Sequence, residues 1–294
     1  MNPAQPSTAG AAPVIPPAFH QAAQPVEALL NSASCGLIIQ RTGQIKGKYR
    51  SEGRQFAREL AEHINERQLG RATVFVYEET FGVKERLHWL IHLRSLRDYP
   101  TMVAMGAADE KFRELILRER LPGGGRWDEI FLDGSLRETV LVPQRWLSPG
   151  RDGAPSGTAL DQLGPGETTF LHSATASSIV QVSGILRHEH RRSGREVGRR
   201  LAERLNREQA GAITALVYDE AFGAGERVHW LLHLSALSDH AELAPYLGPE
   251  PVAEGSGAGP AAEPSWRELF VEGSLSEVAL TPQFWGLYAT KKPS

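Results

Sequence analysis

Two histidines four residues apart, His88 and His92, stand in ERLHWLIHL (85–93), and the pattern returns in ERVHWLLHL (226–234) as His229 and His233. Upstream of each pair come a tyrosine and a glutamate, Tyr77 with Glu79 and Tyr218 with Glu220. Histidine titrates near neutrality, so beside a tyrosine or a carboxylate it can take up and return a proton at physiological pH. The pattern points to general acid–base chemistry, with His88 and His229 as acid or base and Tyr77, Tyr218, Glu79 and Glu220 orienting them. The competing role is structural: a buried histidine satisfied by the same neighbours, which is slightly the commoner case. A shared metal depends on local geometry. On a helix, positions i and i+4 face one ion; on a strand they lie about 13 Å apart at ~3.3 Å per residue. The tryptophan, the isoleucine and the preceding turn favour a strand, so no metal is expected at these pairs.

A strand offers two faces. In 86–93 one face is Leu87, Trp89, Ile91 and Leu93, wholly apolar and expected under helices; the other is Arg86, His88, Leu90 and His92. The preceding strand presents Thr73, Phe75, Tyr77 and Glu79 on one side. A short hairpin pairs the two. With Glu79 opposite Arg86, Tyr77 faces His88; a two-residue slip puts Glu79 opposite His88, and parity keeps all of them on one side in either register. Gln40 and Gln181 join from the first strand of each half. The expected site is a mostly apolar cavity for a hydrophobic small molecule, its ligand contacts drawn from His92, His233, Gln40, Gln181, Phe75, Leu90, Arg86 and Arg227. Glu85-Arg86 and Glu226-Arg227 read either as a carboxylate clamp or, more often, as strand-entry ion pairs. Trp127, Trp146, Trp266 and Trp285 read as packing residues, with ligand stacking the minor option.

The elements that carry these residues are duplicated. The step from Glu85 to Glu226 is 226 − 85 = 141, and it also aligns Gly53 with Gly194, Asn65 with Asn206, Phe81-Gly82 with Phe222-Gly223, and Ser32 with Ser173. Near the ends the step becomes 266 − 127 = 139, aligning Trp127 with Trp266 and Gly134-Ser135-Leu136 with Gly273-Ser274-Leu275. Each unit is of ordinary domain size and too long for a solenoid repeat. The expected organisation is a disordered tail over 1–25, unit one over 26–147, a linker over 148–166, unit two over 167–288 and a short tail over 289–294. Within each unit the order is strand, helix, hairpin, helix, short helix, strand, a βαββαβ ferredoxin-like pattern. Prolines at 245, 249 and 251 predict a shorter second helix in unit two.

This element order, the duplication and the hairpin with its His-Trp segment resemble the dimeric α+β barrel superfamily, which includes antibiotic-biosynthesis monooxygenases and NIPSNAP-like proteins. The resemblance covers 26–147 and 167–288. It implies an α+β fold in which tandem ferredoxin-like domains form a pseudo-dimeric α+β barrel with ligand space inside. It also implies a cofactor-independent tailoring enzyme that oxygenates, cyclises or isomerises a hydrophobic, aromatic or polyketide-like intermediate. A haem held by one histidine is a further option within the superfamily.

Composition narrows the field. The 294 residues are 41% apolar and 23% charged with a net charge of −3, ordinary for a globular chain and no footprint for nucleic acid. The single cysteine, Cys35, excludes an internal disulfide, a cysteine zinc site and a nucleophile repeated in both units. Without a signal-like start or a long apolar run, a cytoplasmic location and no membrane partner are expected. Free sheet edges in such a fusion would admit a further homodimer. Beside the enzyme stand two other readings: a carrier or sensor for a hydrophobic ligand or haem, and an interaction protein with a filled barrel. The looser second unit is the expected scaffold.

Overall fold

The computed structural model describes residues 16–145, 156–164, 169–247 and 266–284. Eight strands close into one antiparallel barrel: β1 (Leu37–Gln44), β2 (Ala72–Phe81), β3 (Arg86–Leu93), β4 (Arg137–Pro143), β5 (Ser178–Ile185), β6 (Ile213–Ala221), β7 (Arg227–Leu234) and β8 (Ser276–Pro282). Their order around the ring is β1-β3-β2-β8-β5-β7-β6-β4. Every neighbouring pair is antiparallel. Strands four steps apart therefore run the same way, and both hairpins, β2–β3 and β6–β7, turn at the same end of the barrel. We call that end the mouth. The two sets of registers repeat: Tyr77 faces His88 and Tyr218 faces His229, the first of the two registers expected. Closure uses β2 against β8 and β4 against β6, so the sheet edges expected to serve a further dimer are consumed within the chain.

Helices cover the outside. The stripe Phe56, Leu60 and Ile64 on α1 (Arg50–Arg67) packs on Val74, Val76, Trp89 and Ile91, the outward face of the sheet. In the second half α4 (Arg191–Glu208) covers Ala215, Val217, Val228 and Trp230. The expected second helix of the first half is two, α2 (Tyr99–Ala108) and α3 (Glu110–Leu117), broken at Asp109, whose backbone is extended and whose carboxylate caps α3 by accepting from Phe112 N–H. Its counterpart is a 3-10 segment, Leu237–Leu243, followed by the short α5 (Ala244–Leu247), as the prolines predict. Trp127 stacks on Phe56 at 5.4 Å in the core under α1; Trp146 and Trp285 lie outside the described residues. Among the described residues no helix is long and apolar enough to cross a membrane.

The barrel wall needs side chains to complete it. β8 reaches β2 only from Tyr77 onward, which leaves the edge groups of Val74 without a strand partner and gives Val76 only the Gln283 N–H, at 2.9 Å from its carbonyl. Asn65 on α1 accepts from Val74 N–H at 2.6 Å and donates to its carbonyl at 3.0 Å. Gln21 does the same for Val76, at 2.7 and 2.8 Å. In the second half Asn206 serves Ala215 and Gln162 serves Val217. This corrects two expectations. Residues 18–21, placed in a disordered tail, form a 3-10 turn with Ala18 and Gln21 buried against the barrel. Residues 159–162, placed in the linker, form the equivalent turn. AFHQ and ALDQ keep the 141-residue step, matching Ala18 with Ala159 and Gln21 with Gln162. Asn65→Ala is expected to strand both Val74 groups and to lower stability by about 2–4 kcal/mol in urea unfolding; a loss under about 0.5 kcal/mol would show that water replaces the amide.

Candidate functional site

Alternation puts Arg86, His88, Leu90 and His92 inside the barrel and Leu87, Trp89, Ile91 and Leu93 under the helices, as the sequence pattern requires. Direction along the barrel then divides the inward residues into two levels. Thr73 and His92 lie at the closed end; Glu79 and Arg86 lie at the mouth.

The closed end is filled by the segments that enter β1 and β5. Leu29, Leu30, Ala33, Cys35 and Ala174 share one apolar cluster with Phe75, Leu90, Leu216 and Leu231. At its centre Ser32 and Ser173 clasp each other, each backbone N–H donating to the other hydroxyl at 2.9 Å. Tyr77 donates to the carbonyl of Ser173 and Tyr218 to that of Ser32. His92 Nδ1 faces the carbonyl of Thr73 at 3.2 Å and must donate there, so Nε2 accepts from Ser173 Oγ at 2.9 Å. His233 repeats this with Thr214 and Ser32. Burial pushes both imidazoles down to about 3 and pushes both tyrosine hydroxyls up.

These positions overturn several site assignments. Tyr77 and Tyr218 stand across the ladder from His88 and His229 but hold the plug instead of orienting those rings. His92, His233, Phe75 and Leu90 are buried in the filled end, at 0% exposure each, and line no open pocket. The strand-entry pairs also separate. Glu85 turns outward to Arg50 and Arg54, while Arg86 reaches Glu79 at 3.3 Å. Glu226 likewise pairs with Arg191 and Arg195, and Arg227 with Glu220.

The mouth keeps the remaining candidates together. His88 Nε2 lies 3.4 Å from Glu79 Oε2, and its Nδ1 lies 3.1 Å from Gln40 Nε2. His229 Nε2 lies 3.2 Å from Glu220 Oε2, and its Nδ1 lies 3.1 Å from Gln181 Nε2. The two glutamines join in a reciprocal amide pair, 2.7 Å one way and 3.0 Å the other. A continuous hydrogen-bonded chain therefore crosses the barrel: Glu79, His88, Gln40, Gln181, His229, Glu220. Each Nδ1 accepts from an amide, so each Nε2 carries the proton and donates it to a carboxylate. Burial lowers the His229 pKa more than Glu220 raises it. Burial raises the Glu79 carboxyl, but hydrogen bonds from His88 and Val83 N–H and the charge of Arg86 outweigh it and hold the group below its usual range.

The hairpin turns set the carboxylates. Glu79 Oε1 accepts from Val83 N–H at 2.6 Å, and Glu220 Oε1 from Ala224 N–H at 3.0 Å. A Cβ on Gly82 would fall 2.1 Å from Glu79 Oε1, and one on Gly223 would fall 1.6 Å from Glu220 Oε1. The Phe-Gly dipeptides thus exist so that a carboxylate can fold back onto its own turn. The phenylalanines point outward, with Phe81 69% and Phe222 86% exposed at the mouth. Sequence reading noted this Phe-Gly repeat without giving it a role; its fixed offset from the glutamates was the available signal. It also missed Ser183, whose Oγ lies 2.8 Å from His229 Nδ1.

A haem iron does not fit these histidines, because all four barrel imidazoles have both ring nitrogens engaged. Among the described residues no group of three His, Cys, Asp or Glu is placed to hold a metal ion.

Among solved structures, a protein of Fusobacterium nucleatum subsp. nucleatum provisionally described as a monooxygenase superposes with a TM-score of 0.52, at 6% identity, over 86% of this chain and 93% of its own. A protein of Lactobacillus acidophilus NCFM with the same description gives 0.49 at 10% identity, over 83% and 93%. A chlorite dismutase variant of Candidatus Nitrospira defluvii gives 0.47 at 12% identity, over 84% and 92%. The first of these shares the α+β barrel fold, and at that identity the likeness extends to the fold alone. Comparison with curated proteins gives no match. One family matches nearly the whole chain, residues 7–288, and the protein belongs to it: DUF6039, a family of unknown function.

Proposed function

We propose that the chain is a tandem fusion of two ferredoxin-like units forming a pseudo-dimeric barrel, and that it is a small-molecule enzyme working at the barrel mouth. The observation that carries this reading is the chain of hydrogen bonds from Glu79 through His88, Gln40, Gln181 and His229 to Glu220. Each histidine is held between a buried carboxylate on the mouth side and a paired amide on the other, with Glu79 3% and Glu220 12% exposed in their side chains. In this reading His88 and His229 act as acid or base, and Glu79 and Glu220 stabilise the imidazolium when it forms. Arg86 and Arg227 attract an anionic or carbonyl-rich head group, and the exposed Phe81 and Phe222 hold an apolar body above it. The fold shared with a protein provisionally described as a monooxygenase is compatible with this reading.

Oxygenation, cyclisation and isomerisation of an aromatic or polyketide-like substrate share a first step, removal of a proton beside a carbonyl. The test is exchange of that proton for deuterium in a hydrophobic aryl ketone, followed by NMR in heavy water. The wild-type chain is expected to accelerate exchange, and the double variant His88→Ala/His229→Ala to lose about 10²–10⁴-fold. Equal rates for wild type and a folded double variant would refute the assignment.

A further inference from the structure

Thr42 and Ser183 occupy equivalent places in the two halves, 183 − 42 = 141, each opposite its histidine on the neighbouring strand. They behave differently. Ser183 Oγ reaches His229 Nδ1 at 2.8 Å, whereas among the described residues no hydrogen bond joins Thr42 to His88. A β-branched threonine has fewer χ1 choices on a strand than serine, which accounts for the difference. We propose that the second half carries a serine nucleophile, Ser183–His229–Glu220, acting on carboxylic esters with an apolar acyl group.

The three side chains stand in the relation that nucleophilic catalysis requires: a hydroxyl within hydrogen-bond reach of a base, and the base held by a third group. Nδ1 is the accepting nitrogen because Nε2–H is committed to Glu220 at 3.2 Å. Gln181 Nε2 lies 3.5 Å from Ser183 Oγ; its two N–H groups point to Gln40 Oε1 and His229 Nδ1, and the second is released to a developing carbonyl oxygen once Nδ1 takes the serine proton. Ser183 is itself 7% exposed and sits two residues from the mouth end of β5, paired across the ladder with exposed Ser276. Phe222, on the turn after the Glu220 strand, offers the apolar contact for the acyl chain.

The balanced sequence is as follows. Ser183 Oγ bonds to the ester carbonyl carbon while its proton passes to His229 Nδ1. The ester C–O bond then breaks, and the leaving alkoxide takes that proton and departs as the alcohol. Water gives a proton to Nδ1 and its oxygen bonds to the acyl carbon. The Ser183 ester bond breaks, Oγ regains the proton, and a carboxylic acid leaves. No oxidant or metal takes part in the balance.

The experiment treats the full chain with a fluorophosphonate and reads intact mass and the modified peptide. Oγ bonds to phosphorus, fluoride leaves, and the serine proton passes through His229 to solvent. One adduct per chain, on Ser183, is expected, with a burst of nitrophenolate from p-nitrophenyl butyrate of about one equivalent. Glu220→Gln should slow labelling by about 10²-fold or more while leaving thermal unfolding measurable. Ser183→Ala should abolish labelling, and Thr42→Ala should label like wild type. An unlabelled wild type, an adduct on another residue, or equal labelling of Ser183→Ala would overturn the proposal. The inference shares His229 with the proton-transfer reading, and wild type separates them. Deuterium exchange without labelling defeats only the nucleophile, and labelling without exchange defeats only the proton-transfer function.

Discussion

Lowering the pH from 6.5 to 4.5 is expected to remove on the order of 5 kcal/mol of stability, from His92 and His233 alone. Each ring is completely buried, and burial brings its folded pKa to about 3 against an ordinary value of 6.5. A base whose folded pKa is depressed binds its proton first in the unfolded chain. Its neutral form therefore stabilises the fold fully above pH 6.5, and that contribution is lost as the pH falls from 6.5 towards 3. Each such group contributes a slope of about 1.36 kcal/mol per pH unit. Neither ring can accept a proton without disturbing its surroundings. Nδ1–H already donates to a carbonyl, and Nε2 holds the hydroxyl of the serine clasp. His172, lowered to about 4 by burial, acts in the same direction. The loss should begin well above the pH at which Glu79, held below its usual range mainly by His88 against the effect of burial, takes up its proton. Urea midpoints at pH 7.5, 6.5, 5.5 and 4.5 measure it. His92→Gln/His233→Gln, whose amides can donate and accept at the same places, should flatten the curve. A wild-type midpoint that stays level down to pH 5 would mean the plug opens to water before it protonates.

The glutamine pair should show a large and non-additive response in a double-mutant cycle. Gln40→Leu strands His88 Nδ1 and Gln181 Oε1, at about 1–3 kcal/mol for each buried group, so a loss of about 2–5 kcal/mol is expected. Gln181→Leu leaves His229 Nδ1 with Ser183 but strands Gln40 Oε1 and the Gln40 N–H that Gln181 accepted, so a similar loss of about 2–5 kcal/mol is expected. The double variant puts leucine against leucine and removes the amide–amide loss altogether. Its cost should fall short of the sum by about 2–5 kcal/mol. Urea unfolding of the four proteins gives the cycle. Additivity within about 0.5 kcal/mol would mean that the amides are bridged by water and do not couple the two halves.

Much of the site was legible because strand geometry is strict. Once ERLHWLIHL is a strand, a period of two decides that Trp89 and Ile91 meet the helix and that His88 shares a side with Glu79, whatever the register. The helix stripe Phe56, Leu60, Ile64 was equally legible, since a period of 3.6 leaves no other face to bury. Less was legible where short polar segments act alone. AFHQ and ALDQ carry no periodicity, and nothing local tells a buried glutamine that completes a strand edge from a solvated one.

Chain sequence by itself determined the 141-residue repeat of motifs, the strand faces and the placing of Tyr77, Glu79 and His88, with their counterparts, on one side of the sheet. Tertiary structure decided how those three types divide. Tyr77 hydroxyl meets Ser173, 96 residues away and in the other half, and that contact exists only because the segment before β5 enters the closed end of the barrel. Glu79 turns instead towards His88 at the mouth, because its own hairpin donates a backbone N–H to it. Side-chain parity is a local property, whereas depth along a closed barrel depends on how far every strand is staggered against partners from the other half, and no local pattern records that.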